Sequence, residues 1–328
     1  MLCDNKEVCI MTIKSPICDL LGIKYPIFQG AMAWIAKAPL AAAVSEAGGL
    51  GIVAASQAPA DYIREQIQLV RQLTDKPFAV NLMMQSPYIR DVVDVVIEEK
   101  VPVVTTGAGN PAPYMERFKE AGIKVIPVIP NVKVAKKMAA AGAAAVVAEG
   151  MESGGHVGDM TSMALWPQVI DAVDIPVIGA GGVADGRGLA AAMVMGAAGV
   201  QMGTAFLVAK ECPISDEYKK RVLGAIDTDT VVTGKFLKHA VRSLKNELTA
   251  KYQSLEFGIV RDEPVQQEME NLGTGALRRA VEGDIENGTI CAGQIAGLVH
   301  EEATCQEIIE KIMADAEAIL KNAASIVE

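Results

Sequence analysis

IPVIGAGGV at 175–183 and GVQMGTAF at 199–206 are two short apolar runs that each end in glycine. Each is too short for an ordinary helix and too evenly apolar for a half-exposed strand, so each reads as a parallel strand buried on both faces. Six more runs of this kind precede them: PIFQGAM from Pro26, LGIVAAS from Leu50, PFAVNLMM from Pro77, VPVVTTGAG from Val101, KVIPVIP from Lys124 and AAVVAEG from Ala144. Their starts lie 20 to 31 residues apart. Helical patterns fill the gaps, as at 61–73 and 88–99, and Gly48, Gly122, Gly142 and Gly196 stand where a helix ends on a left-handed residue. Strand and helix alternating eight times predict an α/β chain folded as a (β/α)₈ TIM barrel, with an open doubly wound sheet as the alternative.

The rest of the chain fits around that core. Residues 1–13 read as an N-terminal extension, with Met11 as an alternative start, and 14–206 as the eight βα units. Residues 207–275 are charged and helical in character with no strand expected, an inserted helical lid or subdomain after strand eight. The small-residue run GTICAGQIAGLV at 288–299 and an amphipathic helix over 304–320 then complete the barrel domain over 276–328.

The 328 residues carry a net charge of −10 and are 51% hydrophobic but only 4% aromatic. An acidic chain argues against a general nucleic-acid surface. The longest apolar stretch, 139–148, is too short to span a bilayer, and Asp4 and Glu7 spoil a signal peptide. The six cysteines show no CxxC pair, so neither a zinc site nor a disulfide framework is expected, and a reducing cytoplasm fits.

In a barrel, reactive groups gather at the carboxyl ends of the strands, and phosphate is commonly held after strands seven and eight. Those loops are glycine-rich here: GAGGV at 179–183 and QMGT at 201–204. Together they suggest a phosphate cup of backbone N–H groups with the Thr204 hydroxyl, although either loop alone is also an ordinary tight turn. GAGGVA at 179–184 also matches the start of a dinucleotide fingerprint, but it sits on the seventh strand without the expected acid about 20 residues later. His156, in EGMESGGHVG just past strand six, is placed to pass a proton or to be a solvated loop residue; His239 and His300 read as structural. Asn81 and Glu149 end their strands at the same mouth, suited to a heterocyclic ring or to second-sphere support. Cys291 lies near that mouth with no assigned role.

PIFQGAMAW at 26–34, AGGLGIV at 47–53, TTGAGNP at 105–111, EGMESGGHVG at 149–158, AGGVADGRG at 180–188, QMGTAFLVAKE at 201–211 and AGQIAGLV at 292–299 together resemble the nitronate monooxygenase superfamily. Within it the sequence is most similar to the flavin-dependent enoyl-acyl-carrier-protein reductase II branch. The resemblance implies FMN reduced by NADH or NADPH, hydride delivery to a trans-2-enoyl thioester on an acyl-carrier protein, and the last step of fatty-acid elongation. Oxidation of alkyl nitronates by dioxygen is the alternative within the family. Carried onto matching positions, Gln29, Gly30, Ala31 and Met32 lie against the flavin ring. Asn81, Glu149, Gly155 and Gln201 contact the flavin, and Gly181, Gly182, Gly203 and Thr204 bind its phosphate. His156 is the active-site histidine. A homodimer and a monovalent cation with unassigned ligands also go with the resemblance.

An acidic carrier needs a basic patch. Lys235, Lys238, Arg242 and Lys245 are spaced three, four and three residues apart, one face of a helix if a helix forms there, beside a stripe of Leu237, Val241, Leu244 and Leu248. The patch reads as a carrier-docking face or as an ordinary solvated basic face.

Overall fold

The computed structural model describes residues 13–258 and 262–326. Its strands, in chain order, are β1 (Ile27–Gln29), β2 (Gly51–Ala54), β3 (Phe78–Met83), β4 (Val103–Gly107), β5 (Lys124–Ile129), β6 (Val146–Glu149), β7 (Gly155–His156), β8 (Val177–Ala180), β9 (Gly199–Met202), β10 (Thr230–Thr233) and β11 (Val241–Leu244). All eight expected barrel strands form, as β1 to β6, β8 and β9. They pair in parallel in the order β1-β9-β8-β6-β5-β4-β3-β2. The two ends of that order meet at a bridge between Phe28 and Leu50, where the Gln29 N–H donates to the Leu50 carbonyl at 3.0 Å. The Gln29 side chain reinforces the seam by accepting the Ile52 N–H at 3.1 Å. The fold is a (β/α)₈ TIM barrel.

Helices cover the outside where the apolar period placed them, at Ala60–Leu73 and Ile89–Glu98 among others. Gly48, Gly122, Gly142 and Gly196 have φ of 93°, 71°, 91° and 97°, the left-handed residues their helices need to stop. Inside, Phe28, Leu50, Ile52, Val103, Val147 and Ile178 form one apolar cluster with Ile17 and Leu21. Those last two come from helix Pro16–Leu21, whose N-cap Ser15 also donates to the carbonyl of Ala198, just before β9. That helix therefore packs at the amino end of the barrel, opposite the carboxyl ends of the strands.

After β9 the chain leaves the barrel and returns with helix Cys305–Asn322, which begins in a capping box: Thr304 Oγ1 accepts the Glu307 N–H at 3.2 Å and Glu307 accepts the Thr304 N–H at 2.7 Å. Its buried Ile309, Ile312, Met313 and Ala316 pack on helices Gly186–Val194 and Ala38–Glu46, across the β9/β1 side of the barrel. The contact is close enough that a Cβ on Gly186 would lie 2.5 Å from the Ala316 nitrogen.

The excursion between these points corrects the expectation of a strandless helical insert. Helices do form at Asp216–Leu223, Glu247–Glu256 and Glu263–Gly273. Residues 230–244, however, make the antiparallel hairpin β10–β11, and β11 pairs with β7 to give a second, three-stranded sheet. The basic residues were read with a helical period, but β-branched Val231, Val232, Thr233 and Val241 flank a Gly234 at φ 78°, which is turn chemistry between strands. Lys235 and Lys238 are consequently exposed in the turn, and Lys245 lies past the far end of β11. Arg242 is 5% exposed and points inward, so it belongs to no docking face. The supposed apolar stripe dissolves too, since Leu248 sits on the following helix.

Candidate functional site at the barrel mouth

The turn at 181–182 follows β8, the turn at 203–204 follows β9, and the His156 loop follows β6. These strands are neighbours in register, Glu149 beside Ala180 and Ala180 beside Gln201, so all three turns leave the barrel at one rim. Gly181 and Gly182 have φ of 88° and 76°, a pair of left-handed residues that turns the backbone N–H groups outward. No hydrogen bond within the described protein engages the amides of Gly181, Gly182 or Gly203. Gly181 admits no side chain, because a Cβ there would meet the Gly150 carbonyl at 2.7 Å, whereas at Gly182 the nearest atom is 3.7 Å away. A rim of unpaired main-chain donors on glycines fits an anionic group such as a phosphate, with the Glu152 carboxylate near Gly182 and Met32 near Gly203 as its side-chain neighbours.

Thr204 is buried, and its hydroxyl oxygen accepts the Gly293 N–H at 2.9 Å, which leaves its proton to donate. That bond ties the returning 288–299 segment to the β9 turn. Gly154 touches the same segment so tightly that a Cβ would lie 2.6 Å from the Ala292 carbonyl carbon. The Ser162 N–H binds the Glu152 carboxylate at 2.9 Å, and the Ser162 hydroxyl lies 2.9 Å from the Gly181 carbonyl, bracing the β6 and β8 loops against each other.

Of the residues expected to face a ring, Gly30, Ala31 and Met32 leave β1 at the mouth, and the side chain of Gln201 lies at contact distance, 3.4 Å, from where a Cβ on Gly30 would stand. Gln29 differs from the expectation: it is the last residue of β1, fully buried, and both ends of its amide are engaged, one by Ile52 and the other by the Gly30 carbonyl. Asn81 is half-buried on β3 and donates to Thr105 Oγ1 at 2.9 Å. Glu149 ends β6, and burial raises its carboxyl to about 7, with the nearby Ser153 hydroxyl opposing the shift. Burial thus favours its protonated form, which can donate a hydrogen bond, more than for a free carboxylate.

His156 is on β7, paired with Val241 of the hairpin, and Gly155 is paired with Arg242. The Arg242 guanidinium donates twice to the Met151 carbonyl, at 3.2 and 3.1 Å, and once to Thr230 at 3.0 Å. The hairpin thus holds the histidine loop by main chain and by a buried arginine. The His156 ring reaches solvent, and partial burial and the neighbouring His239 hold its proton affinity below the ordinary imidazole range. Neither Arg242 as a brace nor His239 as a neighbour was visible in the sequence. Their separation from His156 exceeds 80 residues, and only the strand signal at 230–233 could have hinted at the hairpin.

Cys291 contributes its backbone, its carbonyl accepting the Tyr218 hydroxyl at 2.9 Å, while burial pushes its thiol up to about 12. It is not a nucleophile at neutral pH. Among the described residues no group of three His, Cys, Asp or Glu is placed to hold a metal ion, and no helix is long and apolar enough to cross a membrane.

Comparison with known proteins agrees with this fold. The chain is 46% identical in sequence to FabK from Thermotoga maritima, superposing with a TM-score of 0.93 over 96% of this chain and 100% of that one. A nitroalkane oxidase from Streptomyces ansochromogenes superposes at 0.80 with 29% identity, over 94% of this chain and 99% of the other. The (3aS,4S,5R,7aS)-5-hydroxy-7a-methyl-1-oxo-octahydro-1H-indene-4-carboxyl-CoA dehydrogenase of Mycobacterium tuberculosis is 37% identical, over 97% of this chain and all of that protein. These names describe oxidoreductases. The nitronate monooxygenase family profile matches residues 14–315, and the chain belongs to the nitronate monooxygenase family.

Proposed function

We propose that this protein is an FMN-dependent reductase of trans-2-enoyl thioesters, using NADH or NADPH and acting on the acyl-carrier-protein form at the end of the fatty-acid elongation cycle. The observation that carries the reading is the meeting of the unpaired Gly181, Gly182 and Gly203 amides, Glu149 and His156 at one rim. Gly181, Gly182, Gly203 and Thr204 would hold the FMN phosphate, and Gly30, Ala31, Met32, Asn81, Glu149, Gly155 and Gln201 would surround the ring. The flavin supplies hydride transfer from the nicotinamide to the β-carbon of the enoyl group.

What remains is a proton for the α-carbon, and His156 is the residue placed to give it. The β7–β11 pairing holds its backbone at the rim, and its ring is exposed there. Gly155, at φ 79° with nothing within 4 Å of a Cβ, keeps the approach beside it clear. Glu149 at about 7 can hold a hydrogen bond to the ring in either protonation state. Exposed Lys235 and Lys238 give the hairpin turn a positive tip near this mouth, which suits an acidic carrier. In this reading residues 207–275 serve as the lid between the barrel core of 14–206 and the return of 276–328, and the protein works in the cytoplasm as a homodimer with a monovalent cation.

Thioester chemistry is favoured over nitronate oxidation by the 37% identity to an enzyme named for a carboxyl-CoA substrate. Relatives at 34% identity named probable nitronate monooxygenases keep the second reading in view. An anaerobic titration separates them. Purified protein should show a flavin spectrum that NADH bleaches and crotonyl thioester restores under argon. Bleaching by an alkyl nitronate instead of NADH, with dioxygen restoring the spectrum and the thioester giving no response, would overturn the reductase reading.

A further inference from the structure

The β7–β11 pairing places a second imidazole beside the first. His156 is opposite Val241 across the ladder, and the Val157 N–H donates to the Ala240 carbonyl at 3.1 Å, so His239 enters the turn diagonally next to His156. The two rings stand edge to face with centroids 6.3 Å apart and an interplanar angle of 73°. The turn is held in this shape: the His239 N–H donates to the Gly234 carbonyl at 3.1 Å, and a Cβ on Gly234 would lie 2.6 Å from the His239 carbonyl oxygen. Glu256, buried on the next helix, accepts the N–H groups of Gly234 and Phe236 at 3.2 and 2.8 Å, anchoring the loop from beneath.

We propose that His239 is a positioning residue for the reaction, acting through His156 as the partner imidazole that governs how readily His156 releases its proton. The inference rests on the reading of His156 as the proton donor. The other charged and titratable groups on elements around β7 are arranged differently. Lys238 is exposed in the turn, and Arg242 is turned toward the Met151 carbonyl. Glu152 is bound to Ser162, Asp159 is exposed farther along the loop, Glu149 ends β6, and Cys291 on the returning segment holds its proton. Of these groups His239 is the one whose ring stands against the His156 ring. When both rings carry a proton they repel, and the proton on His156 becomes the easier to lose.

The test uses the full-length holoprotein. Imidazole C–H resonances are followed by NMR from pH 5 to 9 in wild type, His239→Gln and His239→Lys, with His156→Gln to assign the signal. Two unit charges 6.3 Å apart in a water-like medium shift a midpoint by about half a pH unit. His239→Gln should raise the His156 midpoint by that amount and His239→Lys should lower it. The pH profile of kcat for crotonyl-thioester reduction should move in the same directions, with KM for the thioester changed less than twofold. A His156 midpoint that stays put in both variants would overturn the proposal. Midpoints that move in the two variants, in a protein whose wild type does not reduce the thioester, would leave the histidine pair standing and remove the reductase reading instead.

Discussion

The mouth of this barrel has two sides, built by different means. One side consists of the turns after β8 and β9, each set by the strand beneath it and shaped by glycines, of which Gly181 has no room for a side chain. The other side is the β7–β11 sheet, where the histidine loop is held by a hairpin that enters from more than 70 residues downstream. The first side offers main-chain N–H donors and the buried Thr204 hydroxyl. The second presents titratable and charged side chains on a scaffold that is itself a separate sheet. Cofactor retention should therefore depend on the first side and turnover on the second, and mutations can ask whether that division holds.

The largest effect is expected at Gly181. Adding a methyl group puts a Cβ 2.7 Å from the Gly150 carbonyl at a φ of 88°, so Gly181→Ala should cost about 3 kcal/mol or more, appearing as lost stability and a flavin affinity weakened at least a hundredfold. Equilibrium dialysis against FMN with a parallel denaturant melt measures both. Next comes Arg242→Leu, which removes the buried guanidinium from the Met151 carbonyl and Thr230. It should lower kcat for thioester reduction about tenfold to a hundredfold while flavin stays bound, a range set by misplacement of a general acid. Equal loss of flavin in both variants would erase the distinction between the two sides.

Glu149 gives a smaller, pH-dependent effect. Its carboxyl is raised from 4.5 to about 7 by burial, so the folded state binds a proton that the unfolded chain releases, and stability contributed by this group is present at low pH and falls as pH rises from about 4.5 through 7. Glu149→Gln in flavin-free protein should therefore gain on wild type across that window, by about 2 to 3 kcal/mol at pH 8, with no gain below pH 4. Denaturant melts at pH 4 and pH 8 would show it. The smallest effect belongs to the hairpin tip: reversing both Lys235 and Lys238 to Glu should raise KM for carrier-bound enoyl substrate a few-fold and leave a short CoA thioester unaffected, because exposed charges act mainly on encounter.

What the sequence could and could not convey follows the same division. The eight barrel strands and the glycine rim were legible because each is local: an apolar run, a turn, and a strand order imposed by right-handed βαβ connections. The glycines at 48, 122, 142 and 196 did what their type implies. The hairpin side was misread because spacing of three and four among Lys235, Lys238, Arg242 and Lys245 imitates a helical face, while the pairing that overrides it is made with two residues of a distant loop. Gln29 was expected at a cofactor and is engaged instead by the Ile52 N–H at the β1/β2 seam, a closure that no pattern along the chain reports. His239 was set aside as structural for the same reason: nothing near it in sequence marks it as a neighbour of His156.

The helix Cys305–Asn322 lies across the β9/β1 side of the barrel, yet the chain makes it only after the whole excursion from 208 to 304. During synthesis the cylinder must wait with one flank of apolar side chains uncovered, including the faces of helices Ala38–Glu46 and Gly186–Val194 that will receive Ile309, Ile312 and Met313. A nascent chain halted anywhere in that interval exposes a sticky flank, which makes the time between the ninth strand and the closing helix the protein's period of greatest exposure to aggregation and to chaperone capture.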